Sequence, residues 1–96
     1  MIVVGGGASG LMAAGRAAAR GARTLVIEKM ARPGRKLGIT GKGRCNLTNR
    51  SGIPDHVDAF GDAGPFLRQA FHRFFVDDLV SFFEDLGLET VTERGR

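Results

Sequence analysis

The sequence is poor in the residues that several common kinds of function need. Its 96 residues include a single cysteine, which excludes an internal disulfide framework and makes a cysteine-based zinc site implausible. It has no run of 18 apolar residues, as a membrane-spanning helix would need. The apolar residues 1–5 lack the basic region that opens a signal peptide. We therefore expect a cytoplasmic chain, one small domain at most, with no membrane partner.

Charge is divided unevenly between the two halves of the chain. Residues 1–50 carry ten lysines and arginines and a single acid, Glu28, whereas residues 51–96 carry four basic and nine acidic residues. A basic half typically faces phosphates, either of a nucleotide cofactor or of nucleic acid. Because most of the glycines also lie in residues 1–50, we expect the functional site there.

The first thirty residues have the pattern of a strand–helix–strand unit. Residues 2–4 are a short apolar run that ends at glycine, and residues 24–27 are a second such run, closed by Glu28. Between them, the alanine-rich residues 8–20 predict a helix that ends at Gly21. This order predicts a βαβ unit with two parallel strands.

The remaining residues predict loops and helices rather than further central strands. The expectations, in chain order, are an irregular loop over 30–54, an acidic connection over 55–64, a helix over 65–75, a helix capped by Asp77 or Asp78 and stopped by Gly87, and a weak strand over 88–93. Two or three strands cannot complete a doubly wound sheet. We therefore interpret residues 1–96 as the N-terminal part of a larger dinucleotide-binding domain, with the remaining domains outside this chain.

A glycine-rich turn between the first strand and the first helix carries the clearest chemical signal. Residues 5–10, GGGASG, fit the G-x-G-x-x-G pattern of dinucleotide-binding folds. Gly5 permits the tight turn, Gly7 the close approach of a diphosphate, and Gly10 the packing of helix on strand. The N–H groups of the first helical turn favour an anion. Glu28 follows Gly10 by 18 positions, near the spacing expected for an acid that binds a ribose hydroxyl, which favours FAD or NAD over NADP.

A second glycine-rich and basic segment, residues 32–49, bears on the choice of cofactor. A simple NAD dehydrogenase follows its second strand with a helix, whereas a long basic loop suits a larger cofactor such as FAD. Two alternatives stay open at this point: a nucleic-acid-binding module that uses the basic half, and an NAD-binding regulatory module. The first alternative leaves the glycines and Glu28 without a purpose, so an FAD-binding role is favoured.

These segments resemble the N-terminus of a known family, the BaiN-like flavoproteins, which include aminoacetone oxidases and a bile-acid enone reductase. The resemblance rests on the glycine fingerprint, Glu28 with Lys29, GRKL at 34–37 and TGKGRCN at 40–46, and it covers essentially all 96 residues. It implies a Rossmann-like α/β fold and an FAD-dependent oxidoreductase with a glutathione-reductase-like FAD domain. The chain departs from the family at Lys42, where glycine is commoner.

The resemblance also implies which residues bind the cofactor. The FAD diphosphate would be held by Gly5, Gly7, Ala8, Ser9 and Gly10, and the adenosine ribose by Glu28. The path toward the flavin would be lined by Lys29, Lys36, Thr40, Gly41, Arg44, Cys45 and Asn46, with Cys45 packed rather than catalytic. We expect a small organic substrate, NAD(P)H as a possible electron donor, the rest of the same polypeptide as a partner, and neither a metal nor nucleic acid. The 96 residues alone are expected to be inactive.

Overall fold

Two strands and six short helical elements make up residues 1–94, the part of the chain that the structure, a computed structural model, describes. In chain order they are β1 (Ile2–Val4), α1 (Ala8–Ala19), β2 (Leu25–Ile27), α2 (Arg35–Ile39), α3 (Ile53–Ala59), a 3₁₀ turn (Gly61–Ala63), α4 (Gly64–Arg73) and α5 (Val76–Asp85). The chain divides into a first unit, Met1–Asn46, and a second unit, Leu47–Arg96.

The first unit is the predicted βαβ unit. β1 and β2 pair in parallel, with Val3 opposite Val26, and α1 packs on both strands. The side of α1 that is withdrawn from solvent includes Ala14 and Ala17, whose small side chains allow a close approach. α1 gives way to a left-handed Gly21 (φ 86°), as the C-terminal signal in the sequence predicted. The Rossmann-like fold class is therefore confirmed, with a sheet of two parallel strands.

The two strands leave part of their apolar surface uncovered. Val3 and Val26 are half-buried, whereas the residues before and after each of them are exposed: Ile2, Val4, Leu25 and Ile27. Side chains alternate between the two faces of a strand, so these four residues share the face opposite to the two valines. Parallel sheets normally carry helices on both faces, and the described residues supply a covering helix on one.

The second unit is helical, and its centre is the contact between α3 and α4. Gly64, at the start of α4, is buried against α3, where an added Cβ would lie 2.0 Å from the carbonyl oxygen of Val57. Val57 itself is buried. Beside this contact, the ring of His56 meets the rings of Phe71 and Phe75 edge-on, at centroid distances of 5.8 and 4.8 Å.

Two expectations for the middle of the chain are wrong. Residues 55–64 are not a connection, because α3 and the 3₁₀ turn occupy them; Pro54 begins a helix instead of marking a loop, as proline does at a first helical turn. Residues 30–54 are not irregular throughout, since α2 lies within them. Gly34, Gly52 and Pro54, which suggested loops there, lie at helix starts.

The end of the described chain also differs from expectation. The helix predicted over 65–75 stops at Arg73, and α5 begins at Val76, where the side chain of Asp78 accepts a 2.8 Å hydrogen bond from the N–H of Phe75. Asp78 therefore caps α5 from the third helical position, N3, and does not occupy the N-cap position before the helix. Residues 88–93 form no strand.

Side-chain contacts account for the path of residues 88–93. The guanidinium of Arg50 donates to Asp77 (2.8 Å) and to the hydroxyl of Thr92 (3.2 Å), and the hydroxyl of Thr90 donates to Glu84. These contacts lead the segment back along α5. No helix within residues 1–94 combines the length and the apolar character needed to cross a membrane.

Candidate dinucleotide-binding site

The turn between β1 and α1 has a backbone that requires glycine at both of its ends. Gly5 is left-handed (φ 99°), and its N–H donates to the carbonyl of Ile27 at 2.7 Å, which ties the turn to β2. A Cβ on Gly10 would lie 1.9 Å from the carbonyl oxygen of Gly5. The start of α1 therefore approaches the end of β1 more closely than any side chain permits.

The same turn presents N–H groups to an open side. Gly7 precedes α1 without a side-chain cap, and no acid lies in the first turn of the helix. The first helical hydrogen bond runs from Leu11 N–H to the Gly7 carbonyl (2.9 Å), so the N–H groups of Ala8, Ser9 and Gly10 come before it. Gly7, Ala8 and Ser9 are exposed, and a Cβ on Gly7 would meet nothing within 4 Å. This arrangement suits an anion.

Glu28 lies at the end of β2 with its carboxylate directed at the glycine turn. One oxygen accepts from the N–H of Gly6 at 2.7 Å, and the other accepts from the N–H of Met30 at 2.9 Å. The bond from Met30, with smaller contributions from Gly6 and Lys29, holds the pKa of Glu28 below its ordinary value against a small opposing effect of burial. The carboxylate is thus ionised and fixed beside the turn at neutral pH.

Two glycines that sequence reasoning left out of the site are part of this geometry. Gly6 is buried: its N–H binds Glu28, and its carbonyl accepts from the N–H of Gly34 at 2.7 Å. An added Cβ on Gly6 would lie 2.9 Å from Pro33 Cβ. Gly34 is left-handed (φ 67°). The Pro-Gly dipeptide at 33–34 was the available signal, since it predicts a turn with a special backbone conformation.

The ADP portion of a dinucleotide fits these residues. The close packing at Gly10 and the open space at Gly7 leave the backbone N–H groups accessible to a diphosphate. Each oxygen of Glu28 has a second lone pair beyond the bond that it already accepts, and this pair can receive a ribose hydroxyl. The turn and the acid that the sequence placed 18 residues apart therefore lie side by side.

Of the other predicted site residues, Lys29 follows β2, and the rest lie in α2 and the turn after it. Lys29 and Lys36 are exposed. Thr40 is the C-cap of α2, and its hydroxyl donates to the carbonyl of Leu37 at 3.3 Å. Gly41 is left-handed (φ 79°), and its carbonyl accepts from the N–H of Arg44 at 3.0 Å. These contacts close a tight turn; that the turn lines a path to a flavin stays a prediction.

Cys45 and its neighbour Asn46 are exposed, in a segment without regular secondary structure. That Cys45 packs near the flavin stays a prediction. Within residues 1–94, no three His, Cys, Asp or Glu side chains are grouped as metal ligands.

A parallel βαβ unit, a glycine turn at the helix start and a carboxylate at the end of the second strand define a dinucleotide-binding domain of the Rossmann type. The family is equally clear. The model of the HI0933-like protein Rossmann domain matches residues 1–96, and the chain belongs to this family. The resemblance to the BaiN-like and aminoacetone-oxidase-like flavoproteins is thereby confirmed, and with it an oxidoreductase family.

Curated relatives cover nearly all of this chain with a small part of their own length. The chain is 38% identical over 96 residues to a 3-dehydro-bile acid delta(4,6)-reductase of Clostridium scindens, covering 97% of this chain and 23% of the relative. It is 34% identical over 88 residues to the ribosomal RNA dihydrouridine synthase of Escherichia coli, and 31% identical over 87 residues to that of Haemophilus influenzae. Each of these two matches covers 91% of this chain and 21% of the relative.

Proposed function

We propose that this chain binds the ADP portion of FAD in a flavin-dependent reductase. The contact that carries the proposal is the 2.7 Å hydrogen bond from Gly6 N–H to Glu28, which fixes an ionised acid beside the exposed N–H groups of the first turn of α1. The family supports a flavoprotein, and the spacing of the acid supports an adenosine ribose with a free hydroxyl.

The division of labour among the chain's own residues follows from this geometry. The N–H groups of Ala8, Ser9 and Gly10 bind the diphosphate, and Glu28 binds the ribose. The exposed cations Lys29 and Lys36 hold negative charge nearer the flavin. FAD, when bound, supplies the hydride chemistry, while the protein supplies orientation and charge.

We propose that the reaction adds a hydride and a proton across a carbon–carbon double bond conjugated with a carbonyl group. The names of the relatives support this class, since both a bile-acid dienone and the uracil ring of uridine contain such a bond. The two electrons come from NADH or NADPH, and a small enone is the first candidate for the acceptor.

A second candidate acceptor is uridine within RNA. Two relatives are named as ribosomal RNA dihydrouridine synthases, and the first unit carries nine basic side chains against one acid. A basic surface of this kind neutralises phosphates. The same reductase chemistry applies to both candidates, so they differ in the substrate that reaches the flavin.

The experiment uses the full-length protein. We expect it to carry one FAD, identified after release from the denatured protein, and to be reduced anaerobically by NADH or NADPH. Reoxidation by a 3-oxo-4-ene steroid or by a uridine-containing RNA then distinguishes the two acceptors. A full-length protein that neither contains nor binds FAD would contradict the proposal.

The paired variants Glu28→Gln and Glu89→Gln test the site itself. Each removes one carboxylate, but Glu28 lies at the glycine turn and Glu89 is an exposed acid of the second unit. We expect Glu28→Gln to weaken FAD binding on the order of tenfold, the effect of losing a charge-assisted hydrogen bond, and Glu89→Gln to leave it unchanged. Equal affinities in the two variants would exclude Glu28 from the site.

A further inference from the structure

The turn that follows α2 contains a backbone feature that the proposed cofactor site does not use. Gly41, Lys42 and Gly43 are all left-handed, with φ of 79°, 48° and 88°. Lys42 is the one residue other than glycine that has a positive φ within residues 1–94. A Cβ on Gly41 would lie 1.7 Å from the carbonyl oxygen of Arg44, so the turn is closed tightly on itself.

Lysine is a poor choice for this conformation. A side chain in the left-handed region brings its Cβ close to the following carbonyl, whereas glycine takes the same conformation without strain. Both neighbours of Lys42 are glycine, so a third glycine would give the same turn at lower cost. Strained positions of this kind cluster at functional sites, where the side chain does something that the backbone alone does not.

The first unit offers the ammonium group of Lys42 few acidic partners. Met1–Asn46 contains nine lysines and arginines and one acid, Glu28. Both oxygens of that acid already accept backbone N–H groups, from Gly6 and from Met30. Lys42 is exposed, and Glu28, whose remaining lone pairs the proposed function assigns to the ribose, is the one carboxylate of the unit.

We infer that Lys42 is a specificity-determining residue, which contacts an anionic group of the substrate from the tip of this turn. The inference rests on the proposed reductase function and adds to it the charge of the substrate. An anionic group has two possible sources, the carboxylate of a small enone acid and the phosphates of a uridine-containing RNA. The left-handed backbone places Lys42 at the apex of the turn. There an anionic group of the substrate pairs with the ammonium group, in place of a carboxylate from the same unit.

The test compares four variants of the full-length holoprotein. Lys42→Gly removes the charge and the strain, Lys42→Asn removes the charge with a residue that tolerates the left-handed region, and Lys42→Arg keeps the charge. Arg16→Ala is the matched control, because it removes an exposed cation from the ordinary helical backbone of α1. Binding is measured by calorimetry with two probe pairs: a 3-oxo-4-ene bile acid with its methyl ester, and a short oligouridylate with uridine.

We expect Lys42→Gly and Lys42→Asn to weaken the anionic member of one pair about fivefold and to leave its neutral member unchanged. Lys42→Arg and Arg16→Ala should bind that probe as the wild type does. Lys42→Gly should also raise the Tm by about 2 °C, because it relieves strain. If the oligouridylate is the probe affected, the slope of log affinity against log salt should be less steep in Lys42→Gly than in the wild type, by about 0.7. The pair that responds identifies the source of the anion.

Four results would overturn the inference. Two concern the probes: an equal change in affinity for the anionic and the neutral probe, or a wild type that prefers neither anionic probe over its neutral partner. The other two are a lower Tm for Lys42→Gly and weaker FAD binding in the Lys42 variants, which would assign the residue to the cofactor. Calorimetry needs no flavin signal, so a protein without FAD contradicts the proposed function and still leaves the probe measurements interpretable.

Discussion

The two units of this chain place the same kind of glycine in different surroundings. Gly10 in the first unit and Gly64 in the second each lie so close to a carbonyl oxygen that an added Cβ would be about 2 Å from it, at 1.9 and 2.0 Å. Gly10 stands next to exposed N–H groups and an ionised acid, whereas Gly64 is buried between two helices.

Composition follows the same division. The first unit has ten of the 15 glycines and no phenylalanine, whereas the second unit has all seven phenylalanines and nine of the ten acids. In the second unit, close approach serves the packing of helices. In the first, it leaves polar backbone accessible beside a surplus of positive charge. A glycine that cannot be replaced is thus evidence for packing, and the donors around it decide whether a ligand is involved.

The largest expected effect is that of Gly10→Ala. The new Cβ would overlap the carbonyl oxygen of Gly5, so we expect a loss of about 3 kcal/mol of stability in the full-length protein and loss of FAD binding. Gly15→Ala is the control in the same helix, where a Cβ meets nothing within 4 Å, and it should stabilise the protein by about 0.5–1 kcal/mol. Denaturant unfolding and FAD titration measure both. Normal FAD affinity in Gly10→Ala would remove the glycine turn from the site.

Gly64→Ala should separate stability from cofactor binding. Its Cβ would overlap the carbonyl of Val57, so we expect a destabilisation of about 1–3 kcal/mol, again measured by denaturant unfolding. FAD affinity of the folded variant should equal that of the wild type, because Gly64 has no part in the candidate site. If FAD binding fell as it does in Gly10→Ala, the contrast between the two units would be wrong.

A smaller effect on stability is expected when the pH is lowered. Because backbone N–H groups hold the pKa of Glu28 below its ordinary value, its ionised form stabilises the folded state. That contribution is complete above the unfolded pKa, about 4.3, and is lost as the pH falls through the lower folded value. The Tm difference between wild type and Glu28→Gln should therefore shrink below about pH 5. A difference that stays constant from neutral to acidic pH would show that the ionised form of Glu28 adds no stability.

The sequence was sufficient for the elements in which local pattern and tertiary contact agree. Both strands and α1 lie within one residue of their predicted bounds, because apolar runs and the helix stop at Gly21 have few alternatives. The pairing of Glu28 with the glycine turn also followed, since parallel strands that flank one helix bring their carboxyl ends together.

The errors arose where one local signal has two meanings. Pro54 marks a loop or a first helical turn, and only the packing of α3 on α4 decides between them. Phe74 and Phe75 continue the apolar stripe of α4 in the sequence. In the structure, the side chain of Asp78 accepts a hydrogen bond from the N–H of Phe75, and a new helix begins there. The bond from Gly34 to Gly6 was out of reach, because a backbone hydrogen bond between two loops leaves no periodic trace in a sequence.

The hydrogen bond from Gly34 to Gly6 has a consequence for the length of the loop between β2 and α2. Gly6 is held from both sides, by Glu28 through its N–H and by Gly34 through its carbonyl, so the segment from Glu28 to Gly34 must span a set distance. Inserting or deleting one residue there would displace Gly34, and with it the start of α2, from the glycine turn. Between β2 and α2, a change in loop length is therefore incompatible with this contact, and chimeras between relatives should be joined after Gly34.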